Sequence, residues 1–223
     1  MPDTVLITGF EPFAGLAFNP TSELVRMLDG TLIGNVRICG HVLPVAFDGH
    51  AARLEALLHQ TTPRLVLGFG LYAGEDMIRL ERVGINIADF GVADNAGLRL
   101  QGAAIEVDGP PARLATFPYA EIRSALLRLG IPTRISNSAG TYLCNATLYS
   151  ALRLCADQPN RPQCGFIHVP YATQQVAAML SGEPSNELAI VSPESVLPSM
   201  SLDLMVEAAR TAIRVSLDTV TTS

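Results

Sequence analysis

The stretch TRISNSAGTYLCNATLYSALRLC, Thr133 to Cys155, decides how the chain reads. It begins as a short β-branched run, passes through a Ser-Ala-Gly turn, and settles into helical period, with Leu148, Ala151, Leu152 and Cys155 recurring at i, i+3, i+4 and i+7. A strand that feeds a helix is the building unit of α/β folds. The unit recurs along the chain: TVLIT (4–8), VRICGHVLPV (36–45), RLVLGFG (64–70), RVGINIA (82–88) and CGFIHVP (164–170) read as further strands. Several are apolar on both faces, which implies a largely parallel sheet buried between two helical layers. The segments between them carry helix signals. NPTSELVRMLDG offers Asn19 as N-cap, Pro20 at the first helical position, and Leu24 and Leu28 on one face before Gly30. DGHAARLEALLHQ stripes Leu54, Leu57 and Leu58, AEIRSALLRLG ends at Gly130, and LDLMVEAARTAIRVSL gives a closing helix. No internal repeat and no Pro/Gly/Ser linker divides residues 1–223, so the expectation is one domain, a three-layer α/β/α sandwich on a mostly parallel, mixed, twisted sheet.

Composition narrows the function. The chain has 223 residues and is 48% hydrophobic, enough for a substantial core. A net charge of -6 without any run of Lys or Arg argues against binding nucleic acid or anionic membrane through a basic surface. No apolar stretch approaches the roughly 18 residues that span a bilayer, and MPDTVLITGF lacks a basic secretory start, so a cytoplasmic location is expected. The four cysteines contain no C-x-x-C pair, which speaks against a disulfide framework or a structural zinc site. Cys39, Cys155 and Cys164 read as small buried hydrophobes. The irregular loop from Asp89 to Pro118 is long enough to cover a site or meet another subunit.

Cys144 stands apart because the helix begins close to it, seven residues beyond TRISN. Unpaired N–H groups and the positive end of the helix dipole favour a thiolate and predict a depressed pKa there. The same N–H groups could hold an oxyanion. A base is available in His168 near the end of CGFIHVP, whereas His50 and His59 fall in a helix and His41 lies mid-strand. Glu81, in IRLERVGIN, is a candidate to orient the imidazole; its rival reading is an exposed glutamate paired with Arg82. On spacing alone these side chains could equally be a small core residue, a structural histidine and a surface ion pair.

SNSAGTYLCN (Ser136–Asn145) resembles the active-site segment of the type I pyroglutamyl peptidases, also called pyrrolidone-carboxylate peptidases, cysteine peptidases of family C15 that remove N-terminal pyroglutamate. TGFEPFAG (Thr8–Gly15) with Asn19-Pro20, and HVPY (His168–Tyr171), agree, as do ERVGIN, Asp94-Asn95 and Asp108–Pro110 more weakly, all in the family's order. The resemblance implies a Cys–His–Glu triad of Cys144, His168 and Glu81 on an α/β/α fold, a cytoplasmic homotetramer, peptides with N-terminal pyroglutamate as substrates, and no metal or organic cofactor. It also implies an apolar pocket for the lactam, with Phe10 and Phe13 as walls and Asn19 beside them. Main-chain groups near Leu71 and in the Phe13–Leu16 turn would read the ring.

Three departures stand out. GLYAGE (Gly70–Glu75) puts Glu75 where the family has arginine, DFGVADN (Asp89–Asn95) puts Gly91 where another is expected, and IRLER has Arg79 where Ser or Thr is common. Losing a fixed cation near developing negative charge would cost about 100-fold in rate, unless Arg79 or Arg82 compensates. Two rival readings follow: a non-catalytic binder of pyroglutamyl peptides or lactams, which keeps the pocket without turnover, and a nucleoside phosphorylase on a similar sheet. The latter would want phosphate-binding arginines and Gly-rich turns and would have no use for Cys144.

Overall fold

The computed structural model describes residues 3–181 and 197–220. In chain order the elements are β1 (Thr4–Phe10), α1 (Pro20–Leu28), β2 (Leu32–Ile33), β3 (Val36–Leu43), α2 (His50–Thr61), β4 (Leu65–Leu71), β5 (Ile78–Glu81) and β6 (Val83–Ile85). There follow β7 (Ala112–Leu114), α3 (Tyr119–Arg128), β8 (Thr133–Ser136), α4 (Leu143–Asp157), β9 (Gln163–Val169), β10 (Tyr171–Ala172), α5 (Thr173–Leu180), β11 (Ser199–Met200) and α6 (Leu202–Val220).

The middle layer is a seven-stranded sheet in the order β2-β3-β1-β4-β9-β5-β8. Its pairs are parallel except β2 with β3 and β5 with β9. Apolar strand residues alternate between two cores, which is why the central strands look hydrophobic on both faces. Val5, Ile7, Leu67 and Ile167 pack with Leu24 and Leu28 of α1, Ile122 and Leu126 of α3, and Ile213 of α6. Leu6, Val66 and Phe166 face the other way, onto Leu54 and Leu58 of α2 and Leu148 and Leu152 of α4. The expected mixed, mostly parallel sheet with helices on both sides is what the chain forms. Asn19 caps α1 as anticipated, its Oδ1 accepting from the Thr21 N–H at 3.1 Å.

One strand lies elsewhere than expected. The expected 82–88 strand does not enter the main sheet; β5, four wholly buried residues just before it, does. β6 instead leaves the sheet and pairs antiparallel with β7 as a separate arm, β7 lying within the 89–118 loop expected to be irregular. The apolar alternation of Val83, Ile85 and Ile87 is the stronger local signal, while Arg79 and Glu81 disguise β5 by carrying charge into the interior, where they are bonded to each other. Cys155 and Cys164 are buried as expected, Cys39 only partly so, and all four thiols are free. Among the described residues no helix is long and apolar enough to cross a membrane.

Candidate active site

The site is assembled on the sheet face that carries α2 and α4. In the parallel register of β4 and β9, Gly70 lies beside His168 and Gly68 beside Phe166, so their side-chain directions share one face. A Cβ at Gly70 would lie 2.7 Å from the Cys144 Sγ and 2.9 Å from the Phe166 ring. The missing side chain at residue 70 is therefore what lets the sulfur settle on the sheet next to the histidine strand. Cys144 is the second residue of α4, whose extended N-cap, Tyr142, supplies no side-chain cap. Two side chains of the first turns fasten this helix start. Thr147 Oγ1 donates to Leu143 O at 2.7 Å, and Asn145 accepts from Ile85 N and donates to Ile85 O and Ile87 O, each at 2.9 Å.

His168 and Glu81 meet across the antiparallel β5–β9 pairing. His168 is buried, and its Nδ1 lies 2.8 Å from Glu81 Oε1. A carboxylate oxygen only accepts, so Nδ1 carries the proton and Nε2 is left with a lone pair. Glu81 is fully buried, which removes the surface-pair reading; Arg82 bonds Asn137 instead. The second donor to Glu81 Oε1 is Arg79 Nε at 3.0 Å, and Oε2 takes no bond from the described residues. Two of the departures noted in the sequence are thus partners: Arg79 also pairs with Glu75, at 3.3 Å. The third, Gly91, is exposed, and a side chain there would meet nothing within 4 Å among the described residues.

The electrostatics overturn one expectation. Burial, with the Glu81 carboxylate adding to it, pushes the Cys144 thiol up to about 12, against a weaker downward pull from its own backbone N–H. Desolvation outweighs the helix terminus, and the resting sulfur is a neutral thiol. His168 moves the other way. Burial lowers it below its ordinary value and Arg79 lowers it further, while Glu81 partly offsets both. Both side chains are accordingly uncharged at rest, a thiol and a neutral imidazole.

Cys144 forms one wall of a narrow, mainly apolar cavity lined also by Phe10, Phe13, Asn19 and Leu71, so all four residues expected in a pocket are brought together. Asn19 is mostly engaged within the chain: its Nδ2 donates to Glu11 O at 3.0 Å and its Oδ1 accepts from both polar groups of Thr21. Phe10 stacks on His50 at 6.3 Å, and Phe13 faces Tyr142 at 6.0 Å. Tyr142 and Val45, which also line the cavity, were not anticipated. Tyr142 could have been found: as N-cap it precedes Cys144 by two residues and opens toward the same space. The Phe13–Leu16 turn closes with a bond from Leu16 N to Phe13 O at 3.0 Å, with Ala14 and Gly15 both left-handed (φ 52° and 73°).

Residues 3–219 match the family profile described as pyroglutamyl peptidase. The pyrrolidone-carboxylate peptidase of Pyrococcus furiosus is 37% identical over 214 residues, 96% of this chain and 98% of the relative. That of Cupriavidus taiwanensis is 36% identical over 217 residues, 97% and 94% of the two chains. Among solved structures, the pyrrolidone carboxyl peptidase from Thermococcus litoralis superposes with a TM-score of 0.89 at 36% identity, covering 99% of this chain and 96% of the other.

Proposed function

The chain belongs to the pyroglutamyl peptidase family, and from that premise we propose that it hydrolyses N-terminal pyroglutamate from peptides with Cys144 as nucleophile, His168 as base and acid, and Glu81 as the group that orients the imidazole. Nε2 of His168 takes the thiol proton as sulfur attacks the pyroglutamyl carbonyl, so the thiolate exists only during attack. The N–H groups at the start of α4 face the resulting oxyanion. His168 then delivers its proton to the leaving amine. Water hydrolyses the thioester, again through His168, and frees pyroglutamate. The lactam ring sits between Phe10, Phe13, Tyr142 and Leu71, with its N–H and C=O read by main chain at Leu71 and the Phe13–Leu16 turn. No metal or organic cofactor enters the chemistry.

The observation that carries the reading is the convergence over Gly70: the sulfur in van der Waals reach of that glycine, His168 beside it in register, and the apolar cavity opening at the sulfur. A fluorogenic pyroglutamyl amide tests it. Turnover that disappears with Cys144→Ala and after iodoacetamide is expected; lactam binding without fluorophore release would favour a non-catalytic binder, and turnover by Cys144→Ala would refute the assignment. The same reading places the enzyme in the cytoplasm, where thiols stay reduced, as a homotetramer. Ile87, Val92, Val107 and Leu114, between 42% and 88% exposed, are apolar surface that such an assembly would cover. Its mass in solution decides.

A further inference from the structure

We propose that Arg79 is a positioning residue of this site: it holds the Glu81 carboxylate against His168 and, together with Glu75, sets the pH at which His168 changes charge. The inference rests on the peptidase reading for its kinetic consequence, but not for its structural one.

Arg79 and Glu81 are two residues apart on β5, so both side chains leave the same face, and Arg79 stands directly opposite His168 in the antiparallel register. The guanidinium is only 9% exposed. It is held on every side. Nε donates to Glu81 Oε1, NH1 to Glu75 Oε2, and NH2 to both Ser136 Oγ and Ser138 O at 2.8 Å. Its flat face lies 3.9 Å over the Tyr72 ring, whose edge in turn meets the His168 ring at 5.2 Å. A guanidinium bonded at four donors and stacked on an aromatic is not available to grip a substrate. Its reach is to Glu81, and through Glu81 to the imidazole.

A fully buried carboxylate bonded only to a neutral imidazole would be costly to keep ionised, and a protonated Glu81 could not fix Nδ1–H. Arg79 removes that difficulty by bonding the same oxygen that His168 uses. It also limits how much Glu81 can favour a charged ring. The groups around His168 are Glu81 and Arg79 on β5, Glu75 before β5, Tyr72 after β4 and Cys144 on α4, with Arg134 of β8 closing on Glu75. With Cys144 and Tyr72 neutral, two carboxylates face two guanidiniums and the cluster carries no net charge. Protonating His168 makes it positive, so the imidazole is kept neutral and ready to accept. Glu75 acts with the opposite sign, favouring the protonated ring, in line with the directions of both influences on His168.

Two substitutions therefore push in opposite directions. Arg79→Gln leaves the cluster negative, so His168 titrates at higher pH and the acid limb of kcat/KM moves up. The slackened carboxylate lowers kcat by about 100-fold, with KM little changed because Arg79 does not line the cavity. Glu75→Gln leaves the cluster positive and moves the same limb down. Arg79→Lys keeps the charge without the planar fork and restores the position of the limb, with only part of kcat. The His168 ring is followed by NMR titration in a Cys144→Ala background, a readout that needs no turnover and holds even if the peptidase reading fails. Opposite shifts for Arg79→Gln and Glu75→Gln are expected. Identical titration in all variants, or shifts of the same sign, would overturn the proposal. If Arg79→Gln does not fold, the downward shift of Glu75→Gln, or its absence, decides alone.

Discussion

Gly70→Ala is the substitution that most directly tests how the sulfur is seated. The new methyl carbon would lie 2.7 Å from Cys144 Sγ, with Phe166 ring atoms at 2.9 and 3.0 Å closing the opposite side. Uncharged heavy atoms at rest keep about 3.5 Å or more between them, so the sulfur must withdraw by about 1 Å. A displacement of that size at the reacting atom costs about 100-fold in rate. The overpacking itself costs about 1–3 kcal/mol of stability. A control separates the two effects: at Gly165 a Cβ would meet the Phe117 ring at 2.4 Å, a comparable injury in the opposite core, away from the thiol. Turnover of a pyroglutamyl amide, normalised to folded protein from thermal unfolding, should fall about 100-fold for Gly70→Ala and stay near the parent level for Gly165→Ala. A folded Gly70→Ala enzyme with undiminished turnover per molecule would refute the seating of the sulfur.

Other outcomes follow from particular groups. His50 Nε2 lies 2.8 Å from Thr147 Oγ1, whose own proton goes to Leu143 O, so Nε2 is the donor and Nδ1 is a buried acceptor without a partner among the described residues. Burial lowers His50 from 6.5 to about 4, so its contribution is complete above pH 6.5 and about 3 kcal/mol is lost as the pH falls toward 4. Denaturant unfolding from pH 7 to 4 should show that slope, and His50→Gln should flatten it. Because the Cys144 thiol sits at about 12, alkylation by iodoacetamide should keep accelerating above pH 9. A plateau beginning at neutral pH would mean a standing thiolate. Asn145→Ala strands the backbone groups of Ile85 and Ile87 and should cost about 3 kcal/mol in chemical denaturation.

Much of this molecule is legible in its sequence, and the failures share a cause. TVLIT, RLVLGFG and CGFIHVP announce themselves because both faces of a central strand must be apolar, and Asn19-Pro20 marks a helix start through capping chemistry that operates within a few residues. Ile78–Glu81 does not, because a buried Arg-x-Glu looks like surface until one knows that the two side chains bond each other, Glu75, Ser136 and a histidine 87 residues away. The Cys144 thiol was misjudged in the same manner. A helix terminus is a local feature and visible in the sequence, but the burial that outweighs it is imposed by β4 and β9, and the far carboxylate adds its charge to the same effect. Val45 lines the cavity for reasons of depth and direction that periodicity does not encode.

The position of Asn145 beside Cys144 has a mechanical meaning. Its amide is a rivet between the first turn of α4 and the β6–β7 hairpin, and the hairpin is pinned a second time farther along, where Tyr149 Oη donates to Pro110 O at 2.8 Å. Gly84 lies so flat on the helix that a methyl group there would stand 3.0 Å from the Tyr149 backbone. The hairpin therefore cannot peel away while the helix start keeps its shape, and the two should exchange their amide hydrogens as one unit. Whatever grips the outer surface of that hairpin holds the sulfur's own scaffold as well.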